Sequence, residues 1–523
     1  MTKSRKIISV ICCLALVLCL VVGLVACNPK KTDEPTESER DLAIKKALMA
    51  DSYQNYAETC DLNLTKYPEL GSMGLKLITG CGDEGQPGFD KNTNNWRQIH
   101  EVETDDVDQL RQYFNPDAPT LILIHGVQFN EGRYGIATFQ SDCRSSEQFI
   151  DTNPAPYFAE AVGTYTGSID MSKYYRDLGY NVMFFHYENF ADPVNSDDFS
   201  SSLDAVDQVT NVIWCKDNCT ATYLKNGQAV ASDPADTFTN GKFCVAEFYV
   251  AEYLRWINAV KEAFPDKDFA TTNRGITTAA HSMGGVVNVA SNFLLSQVAE
   301  AGYMSLKLMP TRMMQMDPYV GMSEDHVIAW TGEKYLSGVE CDTYATALEI
   351  LVNKYNIGCV YACNNGFAVP CMMVFALWDP EKQVFTNHLG EIDTNYSAFS
   401  YAINRILAVA PFVVLQAYYP PSENDEIPGI AGTYCHNAIR EWVLSTILYD
   451  APTVTKDGKT YTVPTMKMSA EDIKALAGHF FYQFRYVYDS NGNIVYDEDG
   501  IPEENTEFTE TIRCDDDTFI LQK

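Results

Sequence analysis

Residues 274 to 291 read RGITTAAHSMGGVVNVAS, and few folds accommodate such a stretch. Ile276, Thr277, Thr278 and Ala279 form a small, β-branched run suited to a buried parallel strand. The chain then passes through Ala280-His281-Ser282-Met283-Gly284-Gly285 into a run of small and apolar residues able to form a helix. A strand that turns abruptly into a helix around a serine needs small residues two before and two after it, because bulk there would hold the two elements apart. Ala280 and Gly284 meet that condition. Such a turn leaves Ser282 Oγ exposed, the setting of an activated nucleophile. The plainer reading is a buried serine at a helix start. The small-x-Ser-x-Gly pattern is common by itself, so the flanking chain has to decide.

The flanking chain alternates strands and helices. Thr120 to Ile124, within APTLILIHGVQFN, is wholly apolar apart from its first residue, as a central parallel strand should be. Tyr174 to Leu178 suggests a helix, followed by Gly179 and the strand YNVMFFHYENF. An amphipathic helix is expected from Val245 to Ala263, with Phe248, Ala251, Leu254, Ile257 and Val260 at helical spacing, and Pro265 ends it. Residues 118–290 therefore read strand, helix, strand, helix, strand, elbow, helix. That is the pattern of a doubly wound, mostly parallel α/β sheet. LKLIT and RQIHEVE, within residues 75–105, are expected as its first antiparallel strands, and a short helix is expected within residues 41–60.

At AHSMGG the sequence resembles the α/β-hydrolase superfamily, particularly its secreted lipases and esterases. The resemblance implies an α/β-hydrolase fold with Ser282 as the nucleophile. It implies that His125-Gly126, after the Thr120–Ile124 strand, sets up an oxyanion hole from the backbone N–H groups of Val127 and Met283. Each such donor is worth roughly 3–4 kcal/mol in the transition state. The alternative is a plain strand-end turn with His125 satisfied in the core. Arg312 to Met316 suits a strand, and Asp317-Pro318 at its end resembles the L-D-P-A segment that carries the triad acid in pancreatic-type lipases. Asp393 and Asp425 remain alternatives for the acid.

Ala408 to Tyr419 is a further strand candidate, and His436 lies in the loop ahead of an expected helix, Ala438 to Leu448. CHNAIREWVLSTI resembles the C-x-H segment of pancreatic and lipoprotein lipases, with a different spacing from the cysteine. His326 follows the acid too closely to serve as base, and His479 falls in an expected helix, EDIKALAGHFF; His388 is a remaining rival. The order Ser282, Asp317, His436 matches the nucleophile, acid, histidine order of the superfamily. The implied activity is hydrolysis of carboxylic esters, lipid or acyl esters in particular, through an acyl-enzyme and with no metal or organic cofactor. A peptidase, an acyltransferase or a non-catalytic binding lipoprotein of the same fold stays open.

The N-terminus reads as an export signal. Lys3, Arg5 and Lys6 precede an apolar run from Ile7 to Val25. Leu24-Val25-Ala26-Cys27 resembles the lipobox of bacterial lipoproteins, which implies cleavage of residues 1–26 and a diacylglyceryl anchor on Cys27. An uncleaved membrane anchor is the alternative. Either way the remainder is expected outside the cytoplasm, tethered to the bacterial cell surface. Residues 27–40 are a polar tether, 41–450 the catalytic domain, and 451–523 a C-terminal extension with a β-hairpin at YVYDSNGNIVY. Residues 320–405 are expected as a cap or lid, or as a plain insertion. The formal charge of −32 argues against nucleic acid as a partner. A hydrophobic ester or acyl substrate and the anchoring membrane are the expected partners.

Beyond Cys27 the chain keeps Cys60, Cys81, Cys143, Cys215, Cys219, Cys244, Cys341, Cys359, Cys363, Cys371, Cys435 and Cys514. An even number in an oxidising compartment predicts disulfides. The close pairs Cys215/Cys219 and Cys359/Cys363 lack accompanying histidines at zinc-site spacing, so structural bridges are preferred to metal ligation.

Overall fold

The computed structural model describes residues 39–49, 53–81, 99–127, 175–192, 211–318, 320, 340–364, 377–379, 384–386, 405–406, 408–416, 453–456, 459–462, 468–484 and 510–513. The expected signal segment, Cys27, Asp393, Asp425, His436 and the YVYDSNGNIVY hairpin lie outside the described residues. Among the described residues no helix is long and apolar enough to cross a membrane.

Among the described residues ten strands form one sheet. They are β1 (Gly74–Cys81), β2 (Ile99–Glu103), β3 (Thr120–Ile124), β4 (Asn181–His186), β5 (Ile276–His281), β6 (Arg312–Met316), β7 (Gly358–Asn364), β8 (Phe412–Gln416), β9 (His479–Phe484) and β10 (Glu510–Arg513). Their order across the sheet is β10-β9-β8-β7-β6-β5-β3-β4-β1-β2. From β4 through β9 every pairing is parallel. Antiparallel strands close both edges, β1 and β2 at one end and β10 at the other. The expected mostly parallel α/β sheet is present.

β3, β4 and β5 are buried at every residue, which is why they read as apolar runs without alternation. Helix α1 (Glu39–Leu48) precedes the sheet and α2 (Val107–Tyr113) joins β2 to β3. The long α3 (Val245–Ala263) returns the chain from β4 to β5 with the boundaries its spacing predicts. It packs against α4 (Gly284–Glu300), which follows β5, and α4 packs in turn on α5 (Glu340–Tyr355). Phe248, Leu254, Ile257 and Val260 of α3 are buried. Each such side chain contributes about 1.5–3 kcal/mol relative to exposure.

Several expectations need correction. Residues 320–405 are not wholly a cap, because they supply α5 and β7, the latter seated inside the sheet between β6 and β8. The sheet also continues past residue 450 through β9 and β10. His479 opens β9 rather than lying within a helix. The helical segment is only Ala470–Lys474, and Gly478, at φ +76°, redirects the chain into the strand.

The predicted disulfides are overturned at the five cysteines whose side chains the structure describes. Cys60, Cys215, Cys219, Cys244 and Cys359 are all buried free thiols. Neither Cys215 nor Cys219 is bridged, although they flank a single turn. Cys60, Cys219 and Cys244 lie in the core as small apolar groups. Burial, reinforced by the nearby Glu247, pushes these three thiols well up, which keeps them protonated and unreactive.

Candidate active site

The chain leaves β3 to form β4 on one side, whereas β5, on the other side of β3, leads away to β6. The carboxyl ends of β3 and β5 therefore diverge. Such a point of reversal is where open α/β sheets form ligand crevices. His125-Gly126-Val127 leaves β3 here, and Ser282-Met283 leaves β5.

Ser282 is half-buried at the turn and sits at φ +55°, a left-handed conformation that a non-glycine residue adopts at a cost. Its N–H donates to Met316 O across to β6 at 3.0 Å, and its carbonyl accepts from Gly285 N–H at 2.9 Å. The turn is as tight as the small residues imply. A Cβ on Gly126 would lie 2.6 Å from Ser282 Cβ, and one on Gly284 would lie 2.2 Å from His125 O. α4 starts immediately after, with no acidic side chain in its first turn. The positive end of its backbone dipole faces the serine. Among the described residues, no group accepts from the N–H of Val127 or of Met283.

Asp317 follows β6, the strand beside β5, and is 3% exposed at φ +44°. Its N–H donates to Ala362 O of β7. Because Ser282 N–H is bonded to Met316 O, Asp317 is the next residue along from Ser282's own backbone partner. The structure thus brings Ser282, Met283, Gly126, Val127 and Asp317 to one end of the sheet. The expected base, His436, lies outside the described residues, so the triad as a set is not among the observed contacts.

His125 is wholly buried and is a scaffold of this end of the sheet. Its ring is stacked between Phe184 and Tyr187, at centroid distances of 5.7 and 4.1 Å. Nδ1 lies 2.7 Å from Gly126 O, which can only accept, and Nε2 lies 3.4 Å from the Tyr187 N–H, which can only donate. Those partners select the neutral Nδ1–H tautomer. Burial agrees, pushing His125 down to about 4 despite the attraction of Glu188. Tyr187 Oη donates to His125 O at 2.5 Å.

Sequence reading missed the group behind this scaffold. His186 Nδ1 lies 3.3 Å from both carboxylate oxygens of Glu188, and its Nε2 lies 3.0 Å from Glu101 Oε2. Burial opposes a charge on His186, but Glu188 and Glu101 together outweigh it and raise the imidazole to about 10. Burial likewise opposes ionisation of Glu188, yet His186 holds its carboxyl below the ordinary range. The available signal was the HYEN run at the end of a buried strand, where a charged group is unusual. Among the described residues no set of His, Cys, Asp or Glu side chains is arranged to hold a metal.

No family model matches the sequence, and a search of curated proteins finds no match.

Proposed function

We propose that the chain is a serine hydrolase of the α/β-hydrolase type, acting on carboxylic esters with a hydrophobic acyl or lipid part. The observation that carries this reading is the backbone of Ser282. Its positive φ, at a strand-to-helix turn where Gly126 and Gly284 leave no room for a Cβ, is a strained arrangement that a merely structural serine does not need. The crevice position between β3 and β5 supports it, as do the N–H groups of Val127 and Met283, from which no group accepts among the described residues.

In this mechanism Ser282 Oγ attacks the ester carbonyl while His436 takes its proton. The Val127 and Met283 amides hold the oxyanion, and His436 returns the proton to the leaving alcohol. Asp317 orients His436 and stabilises its charged form. Water, deprotonated by His436, then cleaves the acyl-enzyme. We further propose an exported lipoprotein anchored through Cys27, on the strength of the basic n-region and LVAC run.

The test is hydrolysis of a p-nitrophenyl ester series by residues 28–523, beside Ser282→Ala, with fluorophosphonate labelling of both. Turnover and labelling that disappear in Ser282→Ala support the reading. A folded protein that neither turns over nor labels excludes it and favours a binding role.

A further inference from the structure

The ionic group that joins the middle of β2 to the end of β4 has no part in the chemistry just described, yet it leads to the oxyanion loop through a continuous series of contacts. Glu101 of the edge strand holds His186 Nε2, and Glu188 holds His186 Nδ1. Glu188 Oε2 reaches on to lie 3.8 Å from His125 Nε2. His125 then donates to Gly126 O, and Gly126 lies against Ser282.

We propose that His186, as an imidazolium clamped between Glu101 and Glu188, is a positioning residue that fixes the tautomer of His125 and so the placement of the Val127 oxyanion donor. The inference rests on the serine-hydrolase reading and adds a control element to that site. Its logic is electrostatic. With His186 charged, Glu188 is compensated, and His125 Nε2 stays unprotonated to accept from the Tyr187 N–H. With His186 neutral, Glu188 becomes a buried carboxylate with His125 Nε2 3.8 Å away as an alternative site for the proton. A proton on His125 Nε2 abolishes acceptance from Tyr187 and loosens the Tyr187–His125–Gly126 stack. The nucleophile abuts Gly126, where an added Cβ would fall 3.1 Å from Ser282 Oγ, and Val127 follows Gly126 directly in the chain. Small displacements there are costly, because an oxyanion donor acts only at hydrogen-bond distance from the developing charge.

The other charged groups on the packed elements are already engaged. Lys76 of β1 pairs with Glu103 of β2. Arg176, before β4, donates to Thr79 O, and on α3 Glu252 pairs with Arg255. Among the described residues, Glu101, Glu188 and His125 are groups whose charge His186 meets.

The experiment compares wild type, His186→Gln and Glu101→Gln in the 28–523 chain, using ester turnover across pH and the rate of fluorophosphonate labelling. His186→Gln is expected to lower kcat roughly tenfold or more with KM within about twofold, and to slow labelling by a similar factor. Glu101→Gln is expected to move the alkaline limb of kcat to lower pH by about one unit, because it removes one of the two carboxylates that keep His186 charged. A purely structural role would lower thermal stability without moving that limb. An active wild type whose alkaline limb stays in place in Glu101→Gln overturns this inference alone. The limb also decides the matter if His186→Gln does not fold. A wild type that neither turns over nor labels overturns the serine-hydrolase reading, and this inference with it.

Discussion

Gly126 and Ser282 meet across the divergence of β3 and β5 so closely that a Cβ on Gly126 would fall 2.6 Å from Ser282 Cβ and 3.1 Å from its Oγ. No rotation of the serine relieves a clash with its own Cβ. Gly126→Ala is therefore expected to displace the proposed nucleophile, with kcat for an ester falling about 100-fold. Gly71, where the nearest atom to an added Cβ is 3.9 Å away, is the control, and Gly71→Ala should leave kcat unchanged. Equal activity of the two variants would show that the contact does not constrain the reaction.

The positive φ of Ser282 predicts an opposition between stability and activity. Ser282→Gly should abolish turnover yet raise unfolding free energy by about 1 kcal/mol over Ser282→Ala, because glycine carries no penalty in that backbone region. Urea denaturation of the two variants measures the difference directly.

Lys216 Nζ and Glu247 Oε1 pair at 3.0 Å, with the glutamate side chain wholly buried beside Cys60, Cys219 and Cys244. Glu247 also accepts from Cys244 N–H at the start of α3. Burial already raises the Glu247 carboxyl above its ordinary range, and Lys216 offsets only part of that rise. Lys216→Met should destabilise the protein by about 3 kcal/mol, since it leaves the buried carboxyl without its cation. A loss below about 0.5 kcal/mol in denaturant titration would show that the pair is as inconsequential as an exposed one.

The described cysteines should behave as buried thiols. Iodoacetamide applied without reductant should leave Cys60, Cys215, Cys219, Cys244 and Cys359 unmodified in the folded protein and alkylate all of them in denaturant. Peptide mass mapping reads the result. Resistance in denaturant that reductant removes would mean that those sulfurs are oxidised.

Stability should peak near neutral pH, for two opposite reasons. His125 is depressed to about 4 in the folded state, so its contribution is present above about 6.5 and lost as pH falls toward 4. His186 is raised to about 10, so its contribution is present below about 6.5 and lost as pH rises through 10. Denaturation midpoints from pH 4 to 10 should trace that dome, and His186→Gln should flatten its alkaline side.

Much of the fold could be read from the chain where burial is uniform or periodic. β3 and β5 are continuous small and apolar runs because both of their faces are covered, and α3 carries helical spacing. β7 is hard to read because GCVYACN carries two closely spaced cysteines of the kind that staple insertions, although the segment is a central strand. β9 was concealed by the helix-forming run before Gly478, whose backbone conformation ends that run. The serine turn was legible because its requirement for small residues is local. The His186 group was not, since Glu101 and His186 stand 85 residues apart and meet only through sheet pairing.

The reversal at β3 also has a kinetic consequence. Gly126 and Ser282 become neighbours only after about 150 intervening residues have been looped out, β4 and α3 among them, and loops of that length close slowly. On dilution from denaturant, helix signal should return before fluorophosphonate labelling does. The chain would then pass through a stage that is compact and largely ordered but has no working serine, and its activity would be among the last properties to emerge.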